Sequence, residues 1–278
     1  MGELACKRSI AQDRILEVMF AMPTPYRSLL EFATETAFIA GRSTLAWFQI
    51  GIKPERKTDD SPVTIADRNA EQLIRSRIEE RFPTHAILGE EFGETQHDNA
   101  SHRWIVDPID GTKAFVHGVP LYAVLLALEI NGTVEVGVAY FPALDEMVAA
   151  ATGEGCWWNG RRANVSTVSS VRQATACFTD AASFAKHGRT GPWNRIQQSV
   201  LICAGWGDAY GHALVATGRA EIMLDPIMNA WDCGPFPPIL KEAGGTFTDW
   251  SGNPTIHSGE AVSTNGLLLP KLLELIGD

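Results

Sequence analysis

The segment Asp107-Pro108-Ile109-Asp110-Gly111-Thr112-Lys113 places two carboxylates three residues apart, followed at once by a glycine, a hydroxyl and a lysine. The apolar run Trp104-Ile105-Val106 leads in, and Pro108 and Gly111 predict a sharp turn at its end. Asp107 and Asp110 would then project into one small volume, where two negative charges repel unless cations sit between them. Hard cations such as Mg²⁺ favour oxygen donors of this kind. A helix starting at the turn would aim the N–H groups of Gly111 and Thr112 at an anion. A metal beside an anion-binding turn is the chemistry of phosphate. On its own the pair reads more readily as turn-capping aspartates, so the remaining acidic residues must decide.

Two segments supply what such a site would lack. Ile87-Leu88-Gly89-Glu90-Glu91-Phe92-Gly93 sets two carboxylates after a short apolar strand, with flanking glycines that permit close approach. Further on, Ala230-Trp231-Asp232 is followed by Glu242-Ala243-Gly244-Gly245. Together with Ser61-Pro62-Val63-Thr64-Ile65-Ala66-Asp67, these ordered motifs resemble the inositol monophosphatase family of metal-dependent phosphatases, over roughly residues 25 to 270. One Asp-x-x-Asp carries real false-positive risk, whereas four ordered motifs in one chain do not occur casually.

The resemblance implies an α+β fold, a layered αβαβα sandwich of the inositol monophosphatase and fructose-1,6-bisphosphatase type. It implies one phosphatase domain over residues 1–278 with two packed lobes, about 25–155 carrying most metal ligands and about 156–278 completing the substrate site. It also implies two or three Mg²⁺ ions. Glu90, Asp107, the Ile109 carbonyl and Thr112 would surround the first, and Asp107, Asp110 and Asp232 the second, with a third, weaker one near Glu90. Glu90 and Thr112, with Asp107, would orient and activate a water for direct in-line attack, without a phospho-enzyme, while the Gly111 and Thr112 amides hold the phosphate. A homodimer is the corresponding expectation for assembly.

Substrate choice must come from outside the acidic cluster. Gly205-Trp206-Gly207-Asp208-Ala209-Tyr210-Gly211-His212, Gly218-Arg219-Ala220-Glu221 and Asp110-Gly111-Thr112-Lys113-Ala114-Phe115 resemble the histidinol-phosphate phosphatase branch. Asp225 lies seven residues before Asp232, where inositol-specific members carry a glutamate. Asp225 and Asp208 would compensate the ammonium of histidinol phosphate, and Trp206 or Tyr210 would offer an aromatic face, with core packing the alternative for both rings. The other activities considered are an inositol-1-phosphate or broad sugar-phosphate monoesterase and a 3′-phosphoadenosine 5′-phosphate nucleotidase. A non-catalytic phosphometabolite-binding scaffold is the reading from another class, opposed by the joint presence of Glu90, Asp107, Asp110, Thr112 and Asp232.

Composition narrows the field from the other side. The 278 residues suit one large domain or two packed lobes. A net charge of -10 argues against nucleic acid as partner, but bound divalent ions invert the sign locally, so a phosphorylated substrate stays open. Cys6, Cys156, Cys177, Cys203 and Cys233 are scattered and form no Cys-x-x-Cys, which reads as reduced thiols in a cytoplasmic protein. Near the N-terminus, Lys7, Arg8 and the stretch Ile15 to Met22 fall short of a signal peptide, and no segment has the ~18 apolar residues of a membrane span.

The elements that must position the acidic residues are legible in part. Helical spacing covers 26–50, Ile65 to Phe82, Gly207 to Thr217, Pro238 to Ala243 and Pro270 to Ile276. Strands are predicted over Ala86 to Gly89, Leu121 to Glu129, Thr133 to Phe141, Glu146 to Thr152, Ala220 to Leu224 and Thr246 to Trp250, with a hairpin at Asn131-Gly132. Pro54 to Asp60 is a charged turn, and Lys57, Asp59, Asp60 and Thr64 lie where the family has a loop closing on the metals. Asp67 should brace the following helix and Trp231 should pack so as to position Asp232. The family's Trp-Asp-x-Ala-Ala is replaced by Trp231-Asp232-Cys233-Gly234-Pro235, so the helix after Asp232 should start late or irregularly. His117, His212 and His257 show no metal spacing and read as ordinary hydrogen-bonded histidines.

Overall fold

A computed structural model describes residues 26–51, 54–56, 62–97 and 100–277. Cys6, Lys7, Arg8, the Ile15 to Met22 stretch and the loop residues Lys57, Asp59 and Asp60 lie outside them. Two long helices open the described chain. Helix α1 (Arg27–Thr44) buries Ala33, Thr36, Ala37, Ala40, Gly41 and Thr44, a stripe that recurs once per helical turn. Helix α2 (Ile65–Arg81) begins in a capping box: the Thr64 hydroxyl accepts from the Ala66 N–H while the Thr64 N–H donates to Asp67 Oδ2 at 2.8 Å. Asp67 is thus the helix brace expected of it. A short ribbon, β1 (Glu55–Arg56) with β2 (Pro62–Val63), precedes α2.

The first sheet has eight strands: β3 (Ala86–Gly89), β4 (Gly93–Thr95), β5 (His102–Asp110), β6 (Ala123–Ile130), β7 (Thr133–Phe141), β8 (Glu146–Ala151), β9 (Gly155–Trp158) and β10 (Arg161–Arg162). Their spatial order is β10-β9-β8-β7-β6-β5-β3-β4, antiparallel except for β3 beside β5. The two-residue loop Asn131-Gly132 joins β6 to β7, as read from the sequence. The second sheet contains β11 (Thr175–Phe178), β12 (Ile202–Ala204), β13 (Ile222–Asp225), β14 (Thr246–Thr248) and β15 (Ala261–Thr264), in the order β12-β11-β13-β15-β14. Further helices are α3 (Thr112–Val116), α4 (Ala181–Lys186), α5 (Thr190–Ser199), α6 (Asp208–Ala216), α7 (Ala230–Cys233), α8 (Phe236–Glu242) and α9 (Leu269–Ile276).

Side-chain parity assigns the layers. Along β6, Val124, Leu126 and Leu128 pack with Ala33, Ala37, Ile74 and Ile78 of α1 and α2, whereas Ala123, Leu125 and Ala127 point the other way. That second face meets α6 and α8 through Ala209, Ala213, Phe236 and Ile239, and beyond them Cys177 and Met223 of the second sheet. Ile222, Leu224 and Val262 then face Phe184, Trp193 and Ile196 of α4 and α5 and Leu272 of α9. The sequence of layers is helix, sheet, helix, sheet, helix, an α+β sandwich with both sheets covered. Among the described residues no helix is long and apolar enough to cross a membrane.

Three local readings of the sequence need correction. The strand carrying the paired aspartates does not end before Pro108: β5 runs on to Asp110, with its register against β6 shifting between Asp107 and Asp110. A proline has no N–H for the ladder, so it is accommodated in this irregularity. The segment after Tyr122 enters β6 two residues later than expected. Helix α8 starts at Phe236, before the anticipated Pro238, because Pro237 and Pro238 fall in its first turn, where no N–H is required.

Candidate active site

The same parity that builds the layers aims the acids. In β5, Trp104 and Val106 face α1 and α2 while Ile105 faces the middle helices, so Asp107 shares the side of Ile105. In β13, Met223 faces the middle layer, and Asp225, two residues on, does the same. The ends of β3, β5 and β13 and the starts of α3, α6 and α7 surround one cavity of about 470 Å³. It is lined by Glu90, Asp107, Ile109, Asp110, Gly111, Thr112, Asp208, Asp225 and Asp232, all nine singled out in the sequence, together with Lys113.

Each acid is held by its own local device. Asp107, almost fully buried, accepts the Ile109 N–H on Oδ1 at 3.0 Å, so the bulge bends the strand around it. Gly111 follows with φ 74, the left-handed region that glycine enters without steric cost, and α3 starts on the next residue. A Cβ on Gly111 would also lie 3.2 Å from Asp208 Oδ2. Asp110 is pinned across the molecule, its Oδ2 accepting the N–H of Ala209 at the start of α6 at 2.8 Å. Asp232 is the third residue of the single turn α7, where its Oδ2 accepts from the N–H and the side-chain amide of Asn229 at 2.7 and 3.2 Å. Gly234 and Pro235 end that turn before α8 begins, the irregularity expected from the sequence. Trp231 packs against the middle-layer core beneath it.

Glu90 is presented by a buried ion pair that sequence inspection passed over. Glu71 and Arg75 of α2 bond at 2.8 Å with side chains 0% and 7% exposed, and Glu71 accepts the N–H groups of Glu91 and Phe92 at 2.8 and 3.2 Å. Gly89 makes this possible, because a Cβ there would meet Glu71 Oε1 at 2.0 Å. Thr112 Oγ1 donates to the Ile109 carbonyl at 3.1 Å and lies 3.5 Å from Asp67 Oδ1. Asp67 therefore has a second contact, with the turn of the paired aspartates. Only the 45-residue separation, closed by tertiary packing, hid it from view.

Asp107, Asp110 and Asp232 offer carboxylate oxygens that all lie within 4.8 Å of one another. At an effective dielectric constant of about 20, each ionised pair at that separation costs about 3.5 kcal/mol, too much for three adjacent charges in a marginally stable fold. Burial, then repulsion from Glu90, Asp110 and Asp232, holds the Asp107 carboxyl well above the usual carboxylate range. Asp110 is raised likewise, by burial and then by Asp208 and Asp232. Burial, assisted by Glu90 and opposed by the Asn229 bonds, pushes Asp232 up to about 7. The cavity wall carries seven carboxylates and one lysine, Lys113. Oxygen donors, convergence and unbalanced negative charge fit hard divalent cations.

The structure separates the remaining residues. Trp206 is 46% exposed and does not line the cavity, so the aromatic face expected of it is absent there. Tyr210 is engaged elsewhere, edge-on to Phe141 and bonded to Glu146 and Arg219. Thr179, Asp180, Ser183, Pro226, Ile227 and Met228 complete the wall and were not foreseen. Their one sequence signal was Asp180, whose side chain caps α4 through the Ala182 N–H. The Gly205 to His212 motif does reach the cavity through Asp208, a non-glycine residue with φ 52 whose N–H donates to Thr179 Oγ1. Burial, then Asp225, raises Asp208 to about 6, against the pull of Lys113. Cys156, Cys177, Cys203 and Cys233 are all free thiols.

Comparison with known proteins identifies the family. Residues 26–277 match the inositol monophosphatase family. The chain is 43% identical over 251 residues to a histidinol-phosphatase of Chlorobaculum parvum, covering 90% of this chain and 96% of that protein. It is 36% identical over 229 residues to a histidinol-phosphatase of Mycobacterium tuberculosis, covering 81% and 88%. Its fold superposes on the crystal structure of the extragenic suppressor protein suhB from Bartonella henselae with a TM-score of 0.84, at 28% identity over 90% of this chain and 99% of that one. An inositol monophosphatase structure from Thermotoga maritima gives 0.81 at 30% identity over 90% and 96%. With the acidic cluster and the layered fold in place, the chain belongs to the inositol monophosphatase family and is a metal-dependent phosphoric monoester hydrolase.

Proposed function

We propose that this chain hydrolyses L-histidinol phosphate to L-histidinol, with Mg²⁺ held by Glu90, Asp107, the Ile109 carbonyl, Asp110 and Asp232. The observation that carries the substrate reading is the surplus of negative charge beyond the metal set. Asp208 and Asp225 line the same cavity as the acidic cluster, and neither is among its three converging carboxylates. A phosphate ester whose alcohol bears an ammonium and an imidazole matches that surplus, whereas a neutral polyol leaves it facing Lys113 alone. The identity to histidinol-phosphatases supports the same choice.

The divalent ions, when bound, neutralise the phosphate and polarise its oxygens as Lewis acids. The chain's own groups do the rest. The amides of the cap residue Gly111 and of Thr112, the first residue of α3, would hold the phosphate oxygens beside the cluster. Glu90 accepts a proton from the attacking water, and the Thr112 hydroxyl, flanked by Asp67 and the Ile109 carbonyl, fixes that water's orientation. The nucleophile is water, not a side chain: the nearest buried thiol, Cys233, is pushed up far above neutrality by burial and the neighbouring Asp232. Asp225 and Asp208 hold the cationic alcohol. We take the chain as one phosphatase domain of two lobes, about residues 25–155 and 156–278, with Asp110 and Ala209 bridging them at the site.

The test is phosphate release from histidinol phosphate, inositol 1-phosphate, fructose 1,6-bisphosphate and 3′-phosphoadenosine 5′-phosphate, with Mg²⁺ and with chelator. Histidinol phosphate is expected to give the highest kcat/KM, and only with Mg²⁺. A higher kcat/KM for inositol 1-phosphate would overturn the substrate.

A further inference from the structure

Behind Asp225 lies a second, fully buried group. His212 of α6 has no exposed surface and is stacked on Phe236 at 4.7 Å between ring centroids. Its Nδ1 is 2.7 Å from Ser263 Oγ, and its Nε2 faces Asp225 Oδ2 at 3.3 Å. Among the described residues, three buried side-chain nitrogen or oxygen atoms lack an aligned hydrogen bond, and His212 Nε2 and Asp225 Oδ2 are two of them. Two unpartnered polar atoms that face each other across 3.3 Å, one of them belonging to a residue of the cavity wall, need an explanation, because leaving such groups unpaired costs about 1–3 kcal/mol each.

We propose that His212 is a positioning residue for substrate selectivity: with a proton on Nε2 aimed at Asp225, it steers the Asp225 carboxylate toward the cationic part of the substrate. The chemistry follows from the carboxylate. Asp225 Oδ2 facing Nε2 at 3.3 Å can only accept, so a proton on Nε2 completes that contact, and the Ser263 hydroxyl is then free to donate to Nδ1 at 2.7 Å. The opposite tautomer would set a lone pair against a carboxylate inside the core, two acceptors with no proton between them. In the favoured tautomer the imidazole holds one carboxylate oxygen, and the other stays available to the cavity. A substrate ammonium then meets a carboxylate already oriented. This inference rests on the proposed reading of the substrate as a cation-bearing phosphomonoester.

The experiment uses the full chain with Mg²⁺ and compares wild type with His212→Phe, His212→Gln and Ser263→Ala on histidinol phosphate and inositol 1-phosphate. His212→Phe keeps the ring stack and loses the donor. It should raise KM for histidinol phosphate about tenfold, the scale of one hydrogen bond to a charged group, with kcat and the KM for inositol 1-phosphate within about threefold. His212→Gln should recover part of the loss, and Ser263→Ala should move KM the same way by a smaller factor. Independently, ¹⁵N NMR of the imidazoles in wild type should show the proton of His212 on Nε2. An Nδ1–H tautomer, or an unchanged KM ratio in both His212→Phe and Ser263→Ala, overturns the proposal. Should wild type fail to favour histidinol phosphate at all, the substrate reading falls, and the NMR tautomer still decides whether His212 positions Asp225.

Discussion

Stripped of divalent ions, this protein should become less stable as pH rises, and neutralising one ligand should reverse that loss. Asp232 makes the test clean. Its carboxyl is raised from 3.8 to about 7 in the fold, chiefly by burial. A group whose folded pKa lies above its unfolded value stabilises the fold fully below about 4, and that contribution is gone once pH has risen through about 7. Between those limits each retained proton changes stability by about 1.4 kcal/mol per pH unit. For a chain of this size that is about 2–3 °C of Tm per unit. Asp67 and Asp208, each raised to about 6 mainly by burial, add to the slope in the same direction over the lower part of the window. Thermal melting in EDTA from pH 5 to 8 should therefore show Tm falling. Excess Mg²⁺ should restore it most at pH 8, where the carboxylates are ionised. Asp232→Asn keeps an oxygen for the Asn229 capping bonds and removes the charge. In EDTA at pH 8 it should melt above wild type, and Mg²⁺ should shift it much less. A chelated wild type whose Tm holds or climbs between pH 5 and 8, or an Asp232→Asn protein that still gains the full Mg²⁺ shift, would refute the picture of three acids converging on cations.

The remaining expectations concern the groups around that cluster. Thr112→Val removes one hydroxyl without changing shape, and kcat should fall about 100-fold or more with Tm nearly unmoved; unaltered turnover would remove Thr112 from water orientation. Gly89→Ala forces a Cβ into Glu71 Oε1 at 2.0 Å and Arg75 Nη2 at 2.8 Å. Overpacking of this kind costs about 1–3 kcal/mol, readable by urea unfolding, and kcat should drop as Glu90 shifts with its turn; a neutral effect on both would mean the ion pair does not present Glu90. Asp225→Glu should change the ratio of kcat/KM for histidinol phosphate and inositol 1-phosphate by about tenfold while kcat on the better substrate stays within a few-fold. Complete loss of hydrolysis in a folded Asp225→Glu protein would show that Asp225 serves the chemistry itself.

By itself the sequence determined the identity of the acids and much of the local frame. Turn chemistry and residue type are local properties, so Gly111, the Asn131-Gly132 loop, the bracing of α2 by Asp67 and the helical stripe of α1 were all legible in one dimension. The short strands β11, β12 and β15 and the helices α4 and α5 escaped notice because segments of three to ten residues, with four buried positions at most, carry too little periodicity to separate strand from helix. Distance across the chain was decided by tertiary structure alone. Packing brought Asp232 within 4.8 Å of Asp107 and Asp110, set Asp67 against Thr112, buried Glu71 beneath the Glu90 turn, put His212 behind Asp225 and left Trp206 facing solvent. The physical reason is that a side chain's type is written in the chain, whereas its partners depend on which faces the two sheets bury against the middle helices. That choice belongs to the whole core and to no single segment of it.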